Sequence, residues 1–189
     1  HRRQLRTLIG RRDRAIFDFW LCVKFLAPLY VVFWIMPMPE GLQLEAHLRL
    51  GQWLLFLPLA LGLVMIQISA EELLFRGYLQ SQLAAQFRHP IVWVVIPSVL
   101  FGLLHYSPNM AGENAWVLVV WASIFGVAAA DLTARSGTLG PALALHFTNN
   151  IFAILFAAPQ GNLDGAALYT FPLKLDAPGL AATVLPLEL

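Results

Sequence analysis

Apolar residues in this chain do not alternate with polar ones; they gather in long runs separated by short polar interruptions. Five runs stand out: Ala15 to Met36, Gln52 to Ala70, Pro90 to Tyr106, Ala115 to Leu132 and Gly140 to Ala158. A hydrocarbon core about 30 Å thick takes about 20 helical residues to cross, so each run reads as a membrane-spanning helix. One such run could be the buried helix of a soluble protein, but five in 189 residues leave no polar surface for a soluble fold. The expected fold class is therefore all-α, a polytopic membrane bundle of five to six helices. The first run is too long for a secretory leader and carries no small-residue cleavage site, so it too is a span. Lys24, near its start, can snorkel toward the headgroups. In the fourth run Ala122, Gly126 and Ala130 recur at four-residue spacing, a small-residue face that lets another helix approach closely.

Composition agrees. Hydrophobic residues make up 59% and charged ones 12%, against about 45–50% and about 25% in soluble domains, and the mean hydropathy is +0.68. A disordered chain is excluded, as is a disulfide scaffold, because Cys22 is a lone cysteine. The net charge of +1 conceals an asymmetry: six arginines (Arg2, Arg3, Arg6, Arg11, Arg12, Arg14) fall in the first fourteen residues, and acids outnumber bases in the rest. The chain divides into a basic arm (1–14), a membrane-embedded core (15–158) and a loop with a partial apolar segment (159–189, apolar from Gly179 to Leu187). No distributed basic face suggests nucleic acid as a partner; the bilayer itself is the expected one.

The positive-inside rule puts the arm in the cytoplasm. Glu40 and Glu45 then suit the first outer loop, Arg76 and Arg88 flank an inner turn, Glu113 is outer and Arg135 inner. Trp20, Trp34, Trp53, Trp93 and Trp116 lie near run ends, where indoles favour the interface, and only Trp121 is deeper. The expected location is the plasma (inner) membrane, with the N-terminus cytoplasmic.

An ionisable group at bilayer depth costs about 2.5–3.5 kcal/mol on insertion scales and needs a reason to be there. Here such groups cluster. Extended to Gln86, the second helix carries Glu71, Glu72 and Arg76; the third ends at His105; the fifth holds His146 and Asn150. At 1.5 Å per residue from the inner boundary, these groups reach roughly one stratum of the membrane. Glu72 and Arg76, four apart with the acid first, share a face and are expected to pair. Glu71 points about 100° away and is free for a cavity, where desolvation makes a carboxylate a better base. His146 and Asn150 project together, and Phe101 can wall the His105 imidazole. Asn149 reads as helix-to-helix hydrogen bonding.

No serine or cysteine stands in a nucleophile context, and the His-Glu-x-x-His zinc motif is absent. What remains is a carboxylate activating water, helped by an imidazole, with donors aimed at a developing oxyanion, a set suited to amide hydrolysis.

These residues resemble a known family. Glu71-Glu72-Leu-Leu-Phe-Arg76 matches an EExxxR motif, Phe101-Gly-Leu-Leu-His105 an FxxxH motif, and His146-Phe-Thr-Asn-Asn150 an HxxxN motif, in the order found in the CAAX prenyl protease type II and bacteriocin-processing (CPBP, or Abi) intramembrane proteases. The resemblance covers about residues 50 to 158. It implies an endopeptidase acting on a membrane-associated protein or peptide, CAAX-type or bacteriocin-like. In that reading Glu71 with His105 activates water, His146 and Asn150 stabilise the oxyanion, and Glu72, Arg76 and Phe101 orient the site. The family is described both as glutamate-type and as metalloprotease. A metal-free site is favoured because Asn150 suits an oxyanion better than zinc; the zinc alternative would use Glu71, His105 and His146. Some relatives have eight spans where about five are clear here. The competing reading is non-enzymatic: an immunity or adaptor protein, or a small transporter using Glu71 and the histidines as a proton relay.

Overall fold

A computed structural model of the chain describes residues 6–37, 43–161 and 164–178. Arg2, Arg3, Glu40, the Trp34 side chain and the 179–187 stretch lie outside them. Among the described residues the five apolar runs become five principal helices: α1 (Arg12–Ile35), α2 (Leu50–Gln86), α3 (Ile91–Leu103), α4 (Ala115–Ser136) and α5 (Gly140–Phe156). α1, α2 and α4 meet the length and hydropathy needed to cross a membrane, whereas α3 and α5 are shorter. α3 is bounded by His89-Pro90 before it and by a tight turn after it, in which the His105 amide donates to the Gly102 carbonyl at 2.9 Å. α5 ends where the chain becomes extended at Ala157.

This is an all-α membrane bundle with its apolar surface turned outward: Phe25, Leu55, Ile66 and Leu104 are each about 70% exposed, as lipid-facing side chains are. Pro28 and Pro58 sit within α1 and α2, as is tolerated in spanning helices.

Small residues set the helix spacings. Ala122, Gly126 and Ala130 of α4 are buried, and a Cβ on Gly126 would stand only 2.9 Å from that of Ser98 on α3. Gly102 of α3 lies against Ser123 of α4 in the same way. At the other side of the bundle Gly140, at the start of α5, lies against the Ala15 carbonyl of α1, too close for any side chain. The end of the basic arm docks here as well: a single turn, Arg6–Ile9, is tied down where the Leu139 amide donates to the Ile9 carbonyl at 3.1 Å. Asp18 of α1 is buried and accepts from the Thr138 hydroxyl at 3.0 Å and from Arg14 at 2.9 Å, joining α1 to the loop before α5.

The end of the bundle bearing the 43–49 segment carries a small ribbon that sequence periodicity does not announce. β1 (Glu45–Ala46), β3 (Tyr169–Phe171) and β2 (Ala157–Pro159) pair in that order, β1 antiparallel and β2 parallel to β3. Trp53 lies at the same end. In the first turn of α2, it is buried between helices, with its indole N–H donating to the Leu155 carbonyl at 2.8 Å.

Candidate active site

α2 does not stay α-helical to its end. From Leu73 to Gln80 it is a π-helix, the wider i→i+5 winding that in membrane and soluble helices alike is frequent at functional sites. Two acids close the α-helical part and the π segment begins directly after them. Its buried face carries Phe75, Arg76, Gly77 and Gln80, all directed at α3 and α4 or at the docked arm.

Arg76 is the hub of that face. Its Nη1 donates to Glu72 Oε1 at 2.9 Å, with both side chains at most 1% exposed. Nη2 reaches the Gly126 carbonyl at 3.3 Å, and the guanidinium lies 4.5 Å over the Phe101 ring. One turn on, Gln80 donates to the Ala130 carbonyl at 2.9 Å. The small-residue face of α4 thus does more than permit close packing. Without large side chains at 126 and 130, its backbone oxygens are open to donors from α2, which a membrane interior rewards because no water competes.

His146, from α5, enters between the two acids. Its Nδ1 is 2.8 Å from Glu72 Oε1, and its Nε2 is 3.8 Å from Glu71 Oε2. The ring is 5% exposed and stands edge-on to Phe101 (5.8 Å) and Phe125 (5.2 Å). Glu71 is partly accessible at 27%; Gln67, one turn earlier, donates to its Oε1 at 3.0 Å. Its Oε2, like Glu72 Oε2, is buried with no hydrogen bond among the described residues. A buried acid oxygen that receives no hydrogen bond from the protein is where a ligand, a solvent molecule or a proton belongs.

His105 stands past the end of α3, its ring 4.8 Å from Phe101 and its Nδ1 3.0 Å from the Phe101 carbonyl. Phe101 does wall this imidazole. Glu71, however, makes its ionic contact with His146, and His105 is not within 4.0 Å of either acid. Asn150 follows His146 by one turn and is buried; Asn149 donates to its Oδ1 at a long 3.4 Å, so the free end of the Asn150 carboxamide is its Nδ2.

The structure therefore joins Glu71, Glu72, Arg76 and His146 in one contact network, with Phe101 as its floor. The reading of Glu71 and Glu72 as one free and one paired carboxylate needs extension, because both meet the same imidazole. Gln67 and Gln80 escaped the sequence reading, although each stands four residues from a named group in an apolar helix, which was the available signal. The set considered for zinc does not gather: no group of three His, Cys, Asp or Glu side chains fit to hold a metal occurs among the described residues, and no step below passes through one.

Apolar helices that turn Glu72, Arg76 and His146 inward, away from lipid, define an integral membrane protein built around a polar centre. The chain belongs to the family described as type II CAAX prenyl endopeptidase, Rce1-like, whose family model matches residues 52–152. The match opens in α2 and closes just after Asn150, enclosing all three motifs. The chain is also 34% identical over 127 residues to YyaK, an uncharacterized protein of Bacillus subtilis (strain 168). That alignment takes in 67% of this chain and 42% of YyaK, so the chain spans less than half of that relative's length. No solved structure matches it.

Proposed function

We propose that this protein is an intramembrane endopeptidase of the glutamate type, cutting a peptide bond in a membrane-associated protein or peptide, CAAX-type or bacteriocin-like. The observation that carries this reading is the placement of His146 between two carboxylates, 2.8 Å from Glu72 and 3.8 Å from Glu71, in a site walled by aromatic rings. Two carboxylates against one guanidinium leave one negative charge in a medium that penalises it. An imidazole set between the two acids meets both of them. Its Nδ1 is held by Glu72, which fixes the ring, and its Nε2 is turned toward Glu71.

In this reading Glu71, with His105 steadying the nucleophile, takes a proton from water as its oxygen attacks the scissile carbonyl carbon. The charge that develops on the carbonyl oxygen is met by the His146 Nε2–H and the Asn150 Nδ2–H. Collapse of the tetrahedral intermediate breaks the C–N bond, and the leaving amine takes the proton from Glu71. Glu72, Arg76 and Phe101 do not touch substrate; they hold His146. The arginine-rich arm supports a cytoplasmic N-terminus, and the inner membrane is the proposed location.

The test is cleavage of a membrane-anchored peptide library by the detergent-purified chain. Wild type is expected to turn over, Glu71→Gln and His146→Ala to fall by 100-fold or more, and chelators to have no effect. Full turnover by Glu71→Gln overturns the mechanism. Loss on chelation with recovery on added zinc overturns its metal-free form. A reporter fused after residue 135 tests the orientation.

A further inference from the structure

The first helix lies outside the segment that the family model matches, yet it reaches the proposed site through α5. Tyr30 of α1 stacks on Phe152 of α5 at 4.7 Å and 14° between planes, and its hydroxyl donates to Asn149 Oδ1 at 3.1 Å. With its oxygen engaged, the Asn149 carboxamide presents its nitrogen to Asn150 Oδ1 at 3.4 Å. All of these donors point the same way, from α1 toward Asn150.

A carboxamide has two ends of similar size and opposite character, and only the nitrogen end can stabilise an oxyanion. Turned about, Asn150 would offer its own oxygen to a growing negative charge. It is 8% exposed, so bulk water does little to decide the matter. We infer that Tyr30 is a positioning residue: through Asn149 it locks the Asn150 carboxamide with Nδ2 turned toward the reacting carbonyl. This rests on the peptidase reading above. It adds to that reading a helix that none of the three motifs contains. Hydrogen bonds in series polarise one another, so the relay strengthens as negative charge builds at its far end. Its contribution therefore belongs to the transition state more than to substrate binding.

The experiment uses the purified chain and a membrane-anchored peptide that wild type cleaves. Tyr30→Phe keeps the stack on Phe152 and removes only the hydroxyl. It is expected to lower kcat about tenfold, the usual size for a partner that orients a reacting group, with KM unchanged. Asn149→Ala is expected to lose at least as much. Asn150→Ala alone should fall about 100-fold or more, and adding Tyr30→Phe to it should cost nothing further, because no carboxamide remains to be oriented. Wild-type kcat in Tyr30→Phe, or losses that multiply in the double variant, overturns the relay while leaving the peptidase reading intact. Full turnover by Glu71→Gln, measured in parallel, overturns both.

Discussion

Two helices of this protein carry the same local pattern, an acid followed four residues later by an arginine, and use it in opposite ways. In α4, Asp131 and Arg135 pair at 2.6 Å with their side chains 51% and 77% exposed. In α2, Glu72 and Arg76 pair at 2.9 Å with essentially none of either exposed. The surface pair shares its charges with water and salt and has no further hydrogen bond among the described residues. The buried pair has lost its solvation and recovers it piecemeal, from the Gly126 carbonyl, the Phe101 ring and His146. Spacing specifies that two groups can meet; burial decides whether the meeting matters. The clamp formed by Arg14, Asp18 and Thr138 lies between these extremes, with a buried acid and a half-exposed base.

The sharpest break is Arg76→Met, which strands the Glu72 carboxylate in an apolar interior. Equilibrium unfolding in mixed micelles should show a loss of about 3–5 kcal/mol, and peptide cleavage should be abolished. Replacing both partners, Glu72→Met with Arg76→Met, removes the stranded charge; stability should return most of the way while cleavage stays absent, since His146 has lost the group that fixes its ring. Recovery of activity in that double variant would mean that the buried pair holds the fold and not the site. Asp18→Ala should cost about 1–3 kcal/mol, leaving the Thr138 hydroxyl and Arg14 without an acceptor, with a smaller effect on turnover through the seating of α5. Asp131→Asn should leave both the unfolding midpoint and turnover where they were, at low and at high salt; a salt-dependent drop would erase the contrast between the two pairs.

The same distinction marks how much could be read in advance. The apolar runs gave the helices, and four-residue spacing gave the Glu72–Arg76 pair and the shared face of His146 and Asn150, because these are local properties of a helix. The contact of His146 with Glu72 spans 74 residues of chain, and no spacing rule sets which carboxylate an imidazole from another helix will meet. That polar groups of separate helices could meet was legible; direction around the helix axis was not, the more so because the winding changes at Leu73. The ribbon escaped notice for another reason: strands of two and three residues are too short for alternation to register. Trp53 went with it, since an indole near a run end reads as an interface anchor until a carbonyl is found to receive it.

The brevity of α3 bears on how water would reach the proposed site. Its 13 residues reach about 20 Å, well short of the hydrocarbon slab, and Val99, Leu100 and Leu103 on its flank face lipid. Thinning of the bilayer beside a short span is one way such a mismatch is met. The tip of α3 is where His105 stands. In the proposed peptidase, thinning at that point would bring the aqueous phase closer to the depth of the site, so that the bilayer's own deformation would serve as the well from which hydrolysis draws.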